Sequence, residues 1–166
     1  MAWTLGFVGC GVMAEVMIAG ILDEGLLEPA QIIASNRRES RGAELQSRYG
    51  IRTTTANLDV VTGSDMTVLS VKPQTLAKVL AELRDSVPEN SLVLSIVAGA
   101  SMRVLRDGLS HSRVARCMPN LPCRIREGMT VWAAPNGLTP GDEARVEQVL
   151  GVMGGVIRVP DEAHVN

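Results

Sequence analysis

The chain has 166 residues, 46% of them hydrophobic and 20% charged, which fits one globular domain with a core of its own. Its net charge of −2 offers no basic field for nucleic acid or an anionic membrane, and an aromatic share of 2% leaves the core to Val, Leu, Ile, Ala and Met. No apolar run reaches the roughly 18 residues that span a bilayer, and the first residues lack the basic stretch of a secretory signal, so a soluble, cytoplasmic protein is expected.

Cys10, Cys117 and Cys123 are odd in number and not closely paired, and neither His111 nor His164 has a partner at metal spacing. No disulfide framework and no metal site are expected, in keeping with a reducing compartment. Cys10, set between glycines, reads as a small filler.

The first element is a short apolar strand over residues 3–8. It breaks at Gly9-Cys10-Gly11 and continues through Val12, Met13, Ala14, Val16 and Met17 at helical spacing. The pattern is G-x-G-x-x-A, a dinucleotide-binding fingerprint when it lies between strand and helix. Gly9 permits the tight turn, Gly11 lacks the Cβ that would block a pyrophosphate, and Ala14 lets the helix lie close to the strand. The helix start then offers unpaired N–H groups to the phosphates.

A second strand is predicted over residues 31–35, followed by Ser35-Asn36-Arg37-Arg38. A site for NAD(H) usually carries a carboxylate here for the ribose 2′-OH. Two guanidinium groups stand here instead, which favours the 2′-phosphate of NADP(H) over NAD(H). In a blander reading Ser35 or Asn36 caps the next helix and both arginines are solvated.

A helix over residues 38–49 ends at Gly50, and residues 51–54 form a β-branched strand. Asn57 opens a brief helix. Residues 66–71 read as a strand buried on both faces, stopped by Lys72-Pro73-Gln74, where the proline starts a helix running to about residue 85. Residues 92–97 form another such strand, closing on Ala98-Gly99-Ala100-Ser101, with Ser101 as N-cap for residues 102–109. A sixth strand over residues 113–118 meets the stiff loop Pro119-Asn120-Leu121-Pro122. Residues 130–133 follow, then a helix capped by Thr139 with Pro140 in its first turn, then a last strand over residues 156–159.

This alternation predicts an α/β fold: a doubly wound, mostly parallel Rossmann-type sheet with helices on both faces. Ligands bind beyond the carboxyl ends of such strands. Residues 9–14, Ser35, Asn36, Arg37, Val71, Lys72, Pro73 and Ala98 are therefore expected along one rim, with the Asn120 loop beside them.

The segments Gly6-Phe7-Val8-Gly9-Cys10-Gly11-Val12-Met13-Ala14, Val71-Lys72-Pro73-Gln74, Ala98-Gly99 and Arg116-Cys117-Met118-Pro119-Asn120 with Glu127-Gly128-Met129 together resemble the pyrroline-5-carboxylate reductase family. The resemblance implies a reductase that makes proline by hydride transfer to the C=N bond of 1-pyrroline-5-carboxylate. It also implies NADP(H) contacts at residues 9–14, Ser35, Asn57, Val71, Lys72 and Ala98, with Asn120 near the nicotinamide and Glu162 near the substrate. Lys72 could otherwise be a solvated strand end, Asn120 could simply close its own turn, and Glu162 could be a surface residue. No His/Asp or Cys/His constellation sits on the rim, so no catalytic side chain is assigned.

Leu121, Cys123 and Ile125-Arg126 depart from the family's usual Thr, Ala and Val-Gly. The family also continues into a helical domain that pairs subunits. The expectation is a dinucleotide-binding domain over residues 1–160, with residues 161–166 opening that second domain and homo-oligomers forming where it is present. Two other readings are a non-catalytic NADP-binding module and an enzyme resembling the F420-dependent NADP oxidoreductases.

Overall fold

The structure is a computed structural model that describes residues 2–165. Its elements run β1 (Leu5–Val8), α1 (Val12–Asp23), β2 (Ile32–Ser35), α2 (Glu39–Tyr49), β3 (Arg52–Thr54), α3 (Asn57–Thr62), β4 (Met66–Leu69) and α4 (Pro73–Leu83). Then follow β5 (Leu92–Ser95), α5 (Met102–Leu109), β6 (Val114–Pro119), β7 (Gly128–Ala133), α6 (Pro140–Gly151) and β8 (Gly154–Arg158). The strands form one sheet in the order β3-β2-β1-β4-β5-β6-β7-β8. All pairings are parallel from β3 across to β6; β7 runs antiparallel to β6, and β8 runs parallel to β7.

Alternation along each strand divides the core between the two faces of the sheet. Leu5 and Phe7 of β1, Met66 and Val68 of β4, Leu92 and Leu94 of β5, and Ala115 and Cys117 of β6 meet α1, α2 and α6 through Met17, Ile18, Ile21, Leu45, Val146, Val149 and Leu150. Val8, Leu69, Val93 and Val114 turn the other way, onto α3, α4 and α5 through Val60, Leu76, Val79, Leu80, Leu83, Leu105 and Leu109. The sheet is doubly wound, as the alternation of elements predicts.

Several strands are shorter than their apolar runs. β1 begins at Leu5 because the Thr4 N–H donates to Asp65 Oδ2 at 2.8 Å instead of joining a ladder. β4 and β5 stop at Leu69 and Ser95, since the shared ladder has four rungs from β1 through β5. Val97 lies beyond the last rung yet stays buried, in the core cluster on the α4 and α5 face. α4 ends at Leu83, two residues earlier than the pattern suggests, because Arg84 is extended and Asp85 has φ +60°. The caps fall as read: the Ser101 side chain accepts from Val104 N, and Thr139 forms a reciprocal box with Asp142.

The reversal of strand order between β1 and β4 opens a crevice at their carboxyl ends. On the face below, α1 passes so close to α6 that a Cβ on Gly20 would stand 2.8 Å from Val152 Cβ and 3.2 Å from Val152 O. Replacing Gly20 with Val should cost about 1–3 kcal/mol through overpacking, read as a lower denaturant midpoint with an unchanged slope.

Candidate functional site

The site is built on the turn between β1 and α1. Gly9 sits at φ +84°, a conformation side chains other than glycine rarely adopt, with Val71 Cγ1 2.9 Å and Ser70 O 3.1 Å from the position of a Cβ. Its two backbone groups are tied to neighbouring strand ends. The Gly9 N–H donates to Ser35 Oγ at 3.4 Å, and Ser70 Oγ donates to Gly9 O at 2.5 Å. The Ser35 hydroxyl in turn donates to Asn57 Oδ1 at 2.7 Å, and Asn57 Nδ2 donates to Glu82 Oε2 at 3.0 Å. The ends of β1, β2 and β4 and the start of α3 thus form one bonded unit. Ser70 and Glu82 have no motif to announce them in the sequence.

Gly11 presents the opposite case. It is the N-cap of α1 with φ −86°, open to any residue, and nothing lies within 4 Å of where its Cβ would be. The fold does not require glycine here. A side chain here would stand in the open space before the helix start. Gly11 and Val12 are exposed, Ala14 is buried against the core as its slot in the fingerprint demands, and Met13 is half-buried. Burial pushes the Cys10 thiol up to about 12, so it is an inert filler and its contribution to a ligand is its backbone.

Beyond β2, the helix is not capped by Ser35 or Asn36. Ser35 is buried and bonded as above, Arg38 is the N-cap, and Asn36 Oδ1 accepts from Arg38 N at 3.0 Å. A cleft of about 460 Å³ opens between α2 and β3, lined by Asn36, Arg38, Glu39, Gly42, Gln46 and Thr53 among others. Arg38 lines it; Arg37 is exposed and does not. Val71, Lys72 and Pro73 follow β4 at the same rim, Lys72 and Pro73 exposed, and Ala98 is exposed beyond β5. These loops follow β1, β2, β4 and β5, which run parallel in one sheet.

Asn120 and Glu162 have structural partners. The Asn120 carbonyl accepts from Cys123 N, and its Oδ1 accepts from Met129 N at 3.0 Å, closing the turn between β6 and β7. The 3-10 turn Leu121–Ile125 that follows packs on α1 and β7. Glu162 Oε1 accepts from Met102 N at the start of α5 and pairs with Arg116 Nη1 at 3.1 Å. Its carboxylate lies beside the loop that holds Ala98.

The electrostatics of the site centre on Glu15, in the first turn of α1. Its carboxylate accepts from Arg41 Nη2, from Arg48 Nη1 and from Tyr49 Oη, the last at 2.8 Å. Burial works to raise the Glu15 pKa, but the hydrogen bonds from Arg41, Tyr49 and Arg48 outweigh it and hold the carboxyl below its ordinary 4.5. A carboxyl depressed by folding adds stability above its unfolded value and loses it as pH falls through the folded one. Glu15→Gln should therefore flatten the loss of stability below about pH 4.5, measured as melting temperature against pH beside the parent.

Among the described residues no cluster of three or more His, Cys, Asp or Glu could hold a metal, and no helix is long and apolar enough to cross a membrane. The chain is 34% identical over 158 residues to the pyrroline-5-carboxylate reductase of Methanosarcina acetivorans, covering 95% of this chain and 58% of that protein. It is 35% identical over 152 residues to the Escherichia coli pyrroline-5-carboxylate reductase, covering 90% and 56%. It thus spans somewhat under two thirds of the curated relatives it matches. A solved pyrroline-5-carboxylate reductase from Coxiella burnetii superposes with a TM-score of 0.94 at 28% identity, covering 99% of this chain and 62% of that one. The Plasmodium falciparum pyrroline carboxylate reductase, solved with NADP bound, shares the fold at a TM-score of 0.83 and 20% identity, covering 98% and 59%. Residues 4–99, which hold the fingerprint turn and the first rim loops, match the family described as NADP oxidoreductase, coenzyme F420-dependent, and to that family this chain belongs.

Proposed function

We propose that the chain is the dinucleotide-binding part of an NADPH-dependent pyrroline-5-carboxylate reductase. The observation that carries the reading is Gly11: exposed, in a conformation open to any residue, with empty space where a Cβ would stand at the start of α1. That open helix start, with no side chain in front of its first amides, fits a diphosphate. The similarity of whole-chain extent to reductases of this activity supports the choice of substrate.

In this reading the amides at Gly11, Val12 and Met13 bind the diphosphate, and the bonded set Gly9, Ser35 and Asn57 keeps that turn rigid. Asn36 and the arginines beside it take the 2′-phosphate, which favours NADP(H) over NAD(H). Val71, Lys72, Pro73 and Ala98 border the ribose and nicotinamide. The Asn120 Oδ1 is engaged with its own loop, so its Nδ2 is the donor left for the nicotinamide side. Glu162 holds Arg116 and the start of α5 beside the substrate's edge. When bound, the cofactor supplies the hydride for the C=N carbon of 1-pyrroline-5-carboxylate; with a proton on nitrogen the product is proline. Residues 1–160 are the dinucleotide domain, residues 161–166 open a second domain, and homo-oligomers form through that domain. Buried, unpaired cysteines support a cytoplasmic setting.

Reduction of coenzyme F420 is the second reading, favoured by the family match over residues 4–99. Calorimetric titration with NADPH and NADH, followed by NADPH oxidation assays with pyrroline-5-carboxylate and with F420, separates the readings. The expected result is tighter binding of NADPH than of NADH, with imine reduction by protein of the relatives' full length. Failure to bind either dinucleotide overturns the proposal, and F420 reduction in place of imine reduction favours the second reading. Gly11→Thr should keep stability within about 0.5 kcal/mol of the parent, since Thr and Gly cap a helix about equally well, and weaken NADPH about tenfold or more, since it fills space the ligand needs.

A further inference from the structure

Arg41 lies on α2, outside every motif of the sequence, yet its side chain reaches the fingerprint turn. Its Nε donates to the Cys10 carbonyl at 3.3 Å, its Nη2 pairs with Glu15, and its Nη1 pairs with Glu44 at 3.1 Å. Only 15% of the side chain is exposed, against 52% for Arg48, the other cation on Glu15. Two consequences follow from this geometry. The Cys10 carbonyl and the Gly11 N–H belong to one trans peptide and point in opposite directions. Holding the carbonyl toward α2 therefore aims the Gly11 N–H away from α2. Second, Glu15 places a carboxylate in the first turn of the helix whose start would receive an anion. Left to Arg48 and Tyr49 alone, it would compete more strongly with that anion for the positive end of the helix dipole.

We propose that Arg41 is a positioning residue for dinucleotide binding: it orients the Cys10–Gly11 peptide and, as the more buried of the two cations on Glu15, offsets that charge, so that the start of α1 is free to take a diphosphate. The proposal rests on the dinucleotide reading given above. It assigns Arg41 to the diphosphate turn through Cys10 and Glu15, and not to the 2′-phosphate.

The test compares the parent with Arg41→Met and with the double variant Arg41→Met/Glu15→Gln. NADP⁺, which reaches the turn, and adenosine 2′-monophosphate, which does not, are titrated into each. Arg41→Met should weaken NADP⁺ about tenfold while leaving adenosine 2′-monophosphate within about twofold, and the double variant should recover about threefold of the loss. Equal losses for both ligands would put Arg41 on the 2′-phosphate and overturn the proposal, as would no loss for either or no recovery in the double variant.

A second readout needs no ligand. The amide of residue 15 bonds the Gly11 carbonyl at 3.1 Å and closes the first turn of α1. Arg41→Met should speed its hydrogen exchange about tenfold relative to the middle of α1, and unchanged protection would overturn the proposal. Where Arg41→Met does not fold with Glu15 left to Arg48 and Tyr49, the double variant carries this measurement. Should the parent bind no dinucleotide, the functional reading fails, while exchange at residue 15 still decides whether Arg41 holds the turn.

Discussion

Everything at the rim depends on how the chain leaves β1. Within three residues it must stop laddering between β2 and β4, reverse its backbone at Gly9 and enter α1 with its first amides unpaired. A positive φ at Gly9 makes the reversal sterically possible, but it does not hold the turn still. Hydroxyls from the two flanking strands do that: Ser35 receives the Gly9 N–H, and Ser70 donates to the Gly9 carbonyl. The part of the turn set against the strand ends needs its backbone groups satisfied, and at Gly9 they are satisfied by the elements that must also stay in register with it.

The charges around the turn obey a similar economy. The start of α1 is electropositive, the carboxylate in its first turn is held by two guanidinium groups and a phenol, and Lys72 stands exposed on the neighbouring loop. The buried Cys10 thiol stays protonated and adds no charge. A region that carries several ionisable groups thus presents no unpaired anion at the fingerprint turn itself.

Much of this was legible in the chain. Glycines at fixed spacing after an apolar run, prolines at helix starts, and Ser101 and Thr139 ahead of helical periods are local signals, and each appears where the pattern places it. Strand ends were less legible, because apolarity outlasts the ladder: residues such as Val97 still join the core under the helices after the last shared rung. The choice between Arg37 and Arg38 for the cleft depends on the direction of one loop residue, which composition does not encode. The pairing of Arg41 with Glu15 links positions 26 apart through the packing of α2 on α1, and Glu162 meets Arg116 across 46 positions. No spacing rule reaches those contacts; they exist only once the layers have docked.

The sheet has two outer strands, and each is poorly suited to templating another chain. β3 has three residues and carries the exposed Arg52. β8 opens with two glycines and ends at Arg158, whose guanidinium pairs with Glu143 and lies 5.0 Å from the Trp132 ring centroid. Short length, weak strand-formers and a tethered cation at the margin are the features by which natural sheets resist edge-to-edge growth into fibres. Ile157, about half exposed, thus stands on β8 between the two glycines and the tethered Arg158.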